Sequence, residues 1–512
     1  MAETPAPRSR QLVDVVVLAV VAIGVVLRFV VSSSLWMDEA LSVNIARLPL
    51  GEIPGALRKD GHPPGYYILL HGWMRLFGEG DTAVRALSGL FAVALIPLVF
   101  VAARRVAGRR AAVCSVVLLA WSPFAVRFAT EARMYAMVST LAMGGWILAE
   151  SAWRRPRTAV LGGLALCTAG LLWTHYWAMW LVAVAGAFVT AALIRARRDG
   201  ARGTMNSAAK VLAALGLGCV MFLPWVGSLI YQAAHTGTPW ARPARPAEML
   251  SFLASDLGGG RAAEGEVAGW GIIALALVGA WLVAPRSGAV SIDVRTPRDR
   301  RLVVMAVVAF GTLVVGNVAG YLTDTAFSSR YASVVFPLVI VLAGTSISSF
   351  RPKWSGASVL VVCLVLYGPG LADNMVKDRT DGRRNAEAIM ARAEPGDLVV
   401  YCPDQTGPAT ARELSGDLEQ VTFPDFSSPE RVDWVDYIER NEAARPQEFA
   451  RDVLARARGR SVFLVYSVAI HSHRETCPAL LEELAKSRQA QVLESASDAW
   501  EPSGVVYLPP NR

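Results

Sequence analysis

The stretch that decides the fold is "LVDVVVLAVVAIGVVLRFVV", residues 12–31, running into "SSSLWMDEALSV", residues 32–43. The first run is apolar over about the 20 residues a helix needs to cross a bilayer. It is too long for the apolar region of a signal peptide, and no clear small-residue cleavage motif follows it. It is therefore expected to remain as a first membrane span. The second run sets two adjacent carboxylates, Asp38 and Glu39, where that span ends, between Trp36 and a further apolar patch.

The same pattern repeats outward from there. Of the 512 residues, 54% are hydrophobic and only 18% charged, against about 25% charged in a soluble protein. Apolar runs at 12–31, 82–103, 111–127, 135–152, 158–173, 177–194, 209–230, 267–284, 302–321, 332–349 and 355–372 give about eleven expected spans. With the N-terminus in the cytoplasm, "ARRVAGRRA", "WRRPRTA", "RARRDGARG", "PRSGAVSIDVRTPRDRR" and "SFRPKW" all become cytoplasmic connections. Each is basic, as orientation by positive charge requires. The net charge of +8 is thus a topology signal, and nucleic acid is not an expected partner. Trp36, Trp173, Trp225, Trp240 and Trp270 then fall near the outer boundary, and Trp153, Trp281 and Trp354 near the inner one. The expectation is a multi-pass α-helical protein of the plasma membrane, residues 1–372. Residues 373–512 lie on the outer side.

From about residue 376 the chain changes character. "DLVVYCP", "LEQVTFP", "SVFLVYS", "AQVLES" and "GVVYLP" read as strands. They alternate with helical stretches such as "DGRRNAEAIMARAEPG" and "PQEFARDVLARARG", which predicts a small, mostly parallel α/β domain. No glycine-rich dinucleotide loop is present, so a binding or scaffolding role is expected. Cys402 and Cys477 lie in this oxidising compartment, each beside a predicted strand end or helix start. The sequence leaves open whether they pair.

Polar groups near a bilayer are costly and mark function. All six histidines (His62, His71, His175, His235, His471 and His473) fall on the outer side. Asp38 and Glu39 suit a helix first turn and equally a general base acting on a hydroxyl. "GHPPGYY" is either a helix entry or a rigid turn presenting His62. In "EARMYA", Glu131 and Tyr135 are four apart, the spacing of one helix face, and Arg133 is read as snorkelling or anion-binding. Arg330 and Tyr331 begin a span from the outside, against the charge bias. Arginine's fork suits phosphate. His175 sits in "THYW" at the same depth. Together these make an outward constellation with a base and phosphate-binding cations, the minimum for moving a group from a phosphate to a hydroxyl. A transporter or lipid flippase is the alternative reading, weakened because the charges sit at one surface and no repeat is seen.

"WMDEA", "HPPGYY", "EARMYA", "THYW" and "SSRYASVVFPLVIVLAG" resemble, in order, segments of the GT-C superfamily. The nearest branch is the dolichyl-phosphate-mannose-protein mannosyltransferase-like one, and the likeness covers most of residues 1–350. The resemblance implies an inverting glycosyltransferase with a polyprenyl-phosphate sugar as donor, and an envelope glycan, glycolipid or protein as acceptor. It implies Asp38 as general base with Glu39 in support. His62, which replaces the lysine many relatives carry before Pro-Pro, would contact the donor, and Arg133 and Arg330 would hold its phosphate. No organic cofactor is implied. Some relatives need a divalent cation, but no dense carboxylate cluster is seen here. An Ala-, Arg- and Val-rich composition suggests a high-GC bacterium, and hence mannose or arabinose as the sugar.

Overall fold

The computed structural model describes residues 7–241, 243–260, 263–279, 282–283, 293–294, 299–469 and 475–510. His471, His473, Trp281 and most of the connection 285–301 lie outside these residues. The chain divides into two compact units. One comprises Met1–Val31, Arg85–Val226 and Pro243–Met375; the other comprises Ser32–Val84, Gly227–Arg242 and Val376–Arg512.

In chain order the helices begin α1 (Pro7–Leu27), α2 (Met37–Ala46), α3 (Ile53–Asp60), α4 (Gly65–Phe77), α5 (Asp81–Trp121), α6 (Pro123–Ala129), α7 (Tyr135–Arg154) and α8 (Thr158–Thr174). They continue with α9 (Ala178–Arg198), α10 (Arg202–Val220), α11 (Leu223–His235), α12 (Pro246–Leu257), α13 (Ala263–Gly279), α14 (Arg300–Leu322), α15 (Phe336–Ser349) and α16 (Lys353–Val376). Each predicted apolar run falls mainly on one of these. Among the described residues, α5, α9, α14 and α16 are long and apolar enough to cross a bilayer, and α10 with α11, bent by 65°, would add one more. The bend follows from Pro224 in the first turn of α11, which cannot donate to the turn before it. Inside α5, Gly108 takes φ 85°, a left-handed value that glycine adopts without steric cost. The basic stretch there is thus a turn between two apolar helices, as the charge pattern predicts.

The helical unit packs through small residues. A Cβ on Gly269 would stand 1.7 Å from the Ala254 carbonyl oxygen, so α12 and α13 touch backbone to backbone, as membrane helices do. At the ends of α7 and α14, Glu150 receives Arg154 at 2.8 Å and Arg301 at 2.9 Å. Two short strands, β1 (Leu282–Val283) and β2 (Asp293–Val294), pair antiparallel.

The second unit holds a five-stranded sheet of β3 (Leu398–Cys402), β4 (Glu419–Thr422), β5 (Val462–Tyr466), β6 (Gln491–Glu494) and β7 (Gly504–Leu508). Its order is β4-β3-β5-β7-β6. Strands β4, β3 and β5 are parallel; β7 is antiparallel to both β5 and β6. The sheet is therefore more mixed than the sequence suggests, because the nine residues between β6 and β7 form a return loop with no helix. The period-2 pattern sorts the cores. Leu398, Val400 and Cys402 face one core with Val462 and Leu464, covered by α20 (Pro446–Ala457) and α21 (Thr476–Ala485). Val399 and Tyr401 face the other with Phe463, Val465 and Ile389, the last from α17 (Gly382–Met390). Helices α18 (Gly407–Glu413) and α19 (Tyr437–Ala443) complete the fold. Cys402 and Cys477 form a disulfide across 75 residues, tying the end of β3 to the start of α21. Beside them Asp404 is buried and accepts the Tyr437 hydroxyl at 2.6 Å. Burial pushes the Asp404 carboxyl up to about 7, against the opposing pull of that hydrogen bond.

Candidate active site

The predicted site residues divide between the units. Asp38, Glu39 and His62 belong to the sheet-bearing unit; Glu131, Arg133, Tyr135, His175, Arg330 and Tyr331 belong to the helical one.

In the sheet-bearing unit, Trp36 is extended and caps α2, which places Asp38 and Glu39 in its first turn. There the helix dipole favours negative charge. The two acids differ in surroundings. Glu39 is completely buried, accepts the Trp36 N–H at 3.4 Å and lies 3.8 Å from the fully buried Arg379 guanidinium. Asp38 remains partly exposed. Arg379 in turn sits over the Trp500 ring at 5.0 Å, and Trp500 packs edge-on against Trp36 at 6.3 Å. The Glu501 carboxylate accepts the Met37 N–H at 2.8 Å, and the Glu501 N–H donates to the Arg379 carbonyl at 3.0 Å. The pair is thus framed by a buried arginine, two indoles and a second glutamate. Arg379, Trp500 and Glu501 were not among the sequence candidates. Single residues this far downstream leave no local signal.

The "GHPPGYY" segment is a helix entry and a rigid turn at once. Gly61 ends α3 with φ 88°, and Pro64 caps α4. Between them His62 Nδ1 meets Asp60 Oδ2 at 2.9 Å, and the same oxygen accepts the Tyr67 hydroxyl at 3.1 Å. Asp60 therefore sets the orientation of the imidazole, as second partners of functional histidines do.

In the helical unit, Glu131 and Tyr135 do not share a helix face as their spacing suggests. Residues 130–134 form a turn between α6 and α7, closed by the Arg133 N–H on the Glu131 carbonyl at 2.7 Å. The cause is local: Ser122 and Pro123 start a separate short helix, α6, which ends at Ala129. Glu131 instead pairs with Arg127 at 3.2 Å, and Arg127 also reaches Asp256 at 3.7 Å. The Ser329 hydroxyl bonds the same Asp256 carboxylate. Arg133 is buried within the protein and does not snorkel at its surface. The Arg127–Glu131 pair was legible in principle, since an arginine four residues before a glutamate is an ion-pair spacing.

His175 ends α8 in an extended conformation, and its Nδ1 accepts the Trp177 N–H at 3.1 Å. In the neutral ring this leaves the proton on Nε2. Its ring contacts Tyr135 at 5.7 Å and Tyr331 at 5.3 Å, and Tyr331 stacks on Trp177 at 5.3 Å. The structure therefore brings Tyr135, His175 and Tyr331 together. The neighbouring Arg330 is held by its Nε on the Ser328 hydroxyl at 2.9 Å. Arg330 is only partly exposed, and a guanidinium fork suits an anionic oxygen pair. Among the described residues no three His, Cys, Asp or Glu side chains are arranged to hold a metal ion; no step is assigned to one.

Residues 61–227 match the sequence pattern of the dolichyl-phosphate-mannose-protein mannosyltransferase family. No curated protein sequence matches the chain. The fold is similar to that of the apo form of ArnT from Cupriavidus metallidurans, with TM-score 0.63, 14% identity, and coverage of 96% of this chain and 97% of that one. For ArnT bound to undecaprenyl phosphate the figures are 0.59, 15%, 98% and 98%. The Archaeoglobus fulgidus oligosaccharyltransferase is more distant, at 0.50, 12%, 94% and 72%. At these identities the likeness speaks for the fold alone.

Proposed function

We propose that this member of the dolichyl-phosphate-mannose-protein mannosyltransferase family, a multi-pass GT-C glycosyltransferase, moves one sugar from a polyprenyl phosphate to an acceptor hydroxyl on the outer face of the membrane. Mannose or arabinose is the proposed sugar. Residues 1–372 form the catalytic membrane domain, crossing the bilayer about eleven times. Residues 373–512 lie outside, and the N-terminus is cytoplasmic. The observation that carries the reading is the asymmetry of the acidic pair: Glu39 is buried against Arg379, while Asp38 beside it remains partly exposed.

Asp38 is assigned the base. The acceptor oxygen attacks the anomeric carbon as its proton passes to the Asp38 carboxylate. The bond from that carbon to the phosphate oxygen breaks, its electron pair leaves on the lipid phosphate, and the configuration inverts. Glu39 supports Asp38. Arg330 and Arg133 are assigned to the phosphate, and His62, oriented by Asp60, to the donor. Tyr135, His175 and Tyr331 offer ring surface to the sugar or the lipid, and Glu131 keeps Arg127 in place. That ArnT is known with undecaprenyl phosphate bound supports the donor class.

The test is transfer in proteoliposomes from a radiolabelled polyprenyl-phosphate sugar to an envelope extract. Wild type should transfer label, and Asp38→Asn should lose about 10²- to 10⁴-fold, the usual contribution of a general base. Equal transfer by both would remove Asp38 from the role. Movement of lipid without transfer would favour a flippase.

A further inference from the structure

A second polar site lies wholly within the sheet-bearing unit. It is an open cavity of about 700 Å³ at the C-terminal end of α2, bordered by α17, α18 and β4, and its size is that of a small-molecule site. Three arginines line it, Arg47, Arg383 and Arg412. So do four acids, Glu79, Asp81, Glu413 and Glu430. The cations and acids are interleaved: Arg47 meets Glu79 at 2.6 Å, Arg412 meets Asp81 at 3.3 Å, and Arg383 meets Glu413 at 3.4 Å. Asn44 and Gln420 add amides. Asn44 is pinned by its Nδ2–H on the Glu430 carbonyl at 2.7 Å, and Gln420 Oε1 accepts the Tyr401 hydroxyl at 2.7 Å.

This lining selects by chemistry. An acyl or prenyl tail would strip water from these ion pairs without replacing its hydrogen bonds. A strongly anionic ligand would meet four groups of its own sign and a strongly cationic one three. A neutral ligand rich in hydroxyls fits, because each hydroxyl both donates and accepts. Arginine forks supply donors, carboxylates supply acceptors, and the two amides supply both. Asp38 stands near the start of α2 and Arg47 caps its end, a separation of about 13 Å along the helix axis. A ligand engaging both is therefore an extended chain.

Resting on the glycosyltransferase reading above, we infer that this cavity binds a neutral oligosaccharide stretch of the acceptor, distal to the hydroxyl that receives the sugar.

The test uses the full-length protein in nanodiscs. Probes are a neutral mannotriose and arabinotriose, an anionic uronic-acid trisaccharide and a Ser/Thr-rich peptide, each followed by saturation-transfer NMR. Variants are Arg383→Ala, which removes one exposed fork, and Ser428→Trp, which fills the mouth from an exposed position. Expected is a signal from a neutral trisaccharide on wild type, weakened about tenfold by Arg383→Ala and lost in Ser428→Trp. Acceptor KM should rise in both while kcat and donor consumption with a small alcohol acceptor hold. Preference for the peptide or the anionic sugar, no neutral binding by wild type, or unchanged binding in Ser428→Trp would overturn it. Donor consumption by wild type reads the parent proposal separately: its absence would sink the transferase reading and leave the trisaccharide result to stand or fall alone.

Discussion

The two units hold their candidate residues in different ways. In the helical unit three contacts of the candidate residues and their neighbours are short-range: Arg127 to Glu131 four residues on, Arg330 to Ser328, and the Trp177 N–H to His175. Longer-range contacts exist there too, Arg127 to Asp256, the Ser88 hydroxyl to the Arg133 carbonyl and Arg301 to Glu150 among them. In the sheet-bearing unit the acidic pair is held from far away. Met37 bonds Glu501 across 464 residues, Asn44 bonds Glu430 across 386, and Lys59 pairs with Asp433 across 374. Short-range contacts place a side chain relative to its own helix end. Long-range ones place it relative to another part of the chain, and they are lost when that part unfolds. A substitution in the first unit should therefore weaken one interaction, and a substitution in the second should disturb both fold and chemistry.

The sharpest way to break this comparison is Arg379→Ala. It leaves Glu39 buried without its counter-charge, which costs about 3–5 kcal/mol. Thermal unfolding should move down markedly, and kcat should fall more than donor KM rises. Arg379→Lys should recover part of both, and an unaltered melting curve would mean Glu39 does not depend on this pair.

Next is Asp404, whose carboxyl is pushed to about 7 from an ordinary value near 3.8. The folded state then holds a proton that the unfolded chain releases above about pH 4. The contribution is full below that point, declines as pH rises to about 7, and reaches up to about 4 kcal/mol. Asp404→Asn, which keeps an acceptor for Tyr437, should flatten the stability profile across that window. A slope identical to wild type would refute the assignment.

Third is the disulfide. Cys402→Ser with Cys477→Ser should cost about 2–4 kcal/mol, read as a lower melting temperature of the sheet-bearing unit, with reductant reproducing the effect on wild type only. The smallest effect is in the helical unit. Arg330→Ala should raise donor KM by roughly 10- to 100-fold, as loss of about 1.5–3 kcal/mol from charged hydrogen bonds implies, with little change in unfolding. A large loss of stability there would erase the distinction between the units.

That distinction also explains what could be read from the sequence. The central strands β3 and β5 were legible as short apolar runs whose side chains alternate between two cores, as Leu398–Cys402 does. The long apolar helices α5, α9, α14 and α16 were legible because their apolar runs have the length of a membrane span. The turn at 130–134 was not, because the i, i+4 spacing of Glu131 and Tyr135 presumes a continuous helix and Ser122-Pro123 had already broken it. Asp60 was hidden in a charged stretch that reads as solvated. Arg379 lay in another such run, "VKDRTDGRR", and Trp500 in a loop. No local pattern couples them to Glu39, since the coupling exists only once the sheet has formed.

The framing of the acidic pair also has a consequence in time. A ribosome adding about 5–20 residues per second completes α2 long before it reaches Trp500 and Glu501. For roughly 20 to 90 seconds the nascent chain has its proposed base but not the indole and carboxylate that frame it. A product terminated in that interval would lack the carboxylate that accepts the Met37 N–H and the indole that packs on Trp36. On the proposed reading, catalytic competence is thus deferred until Trp500 and Glu501 have been made.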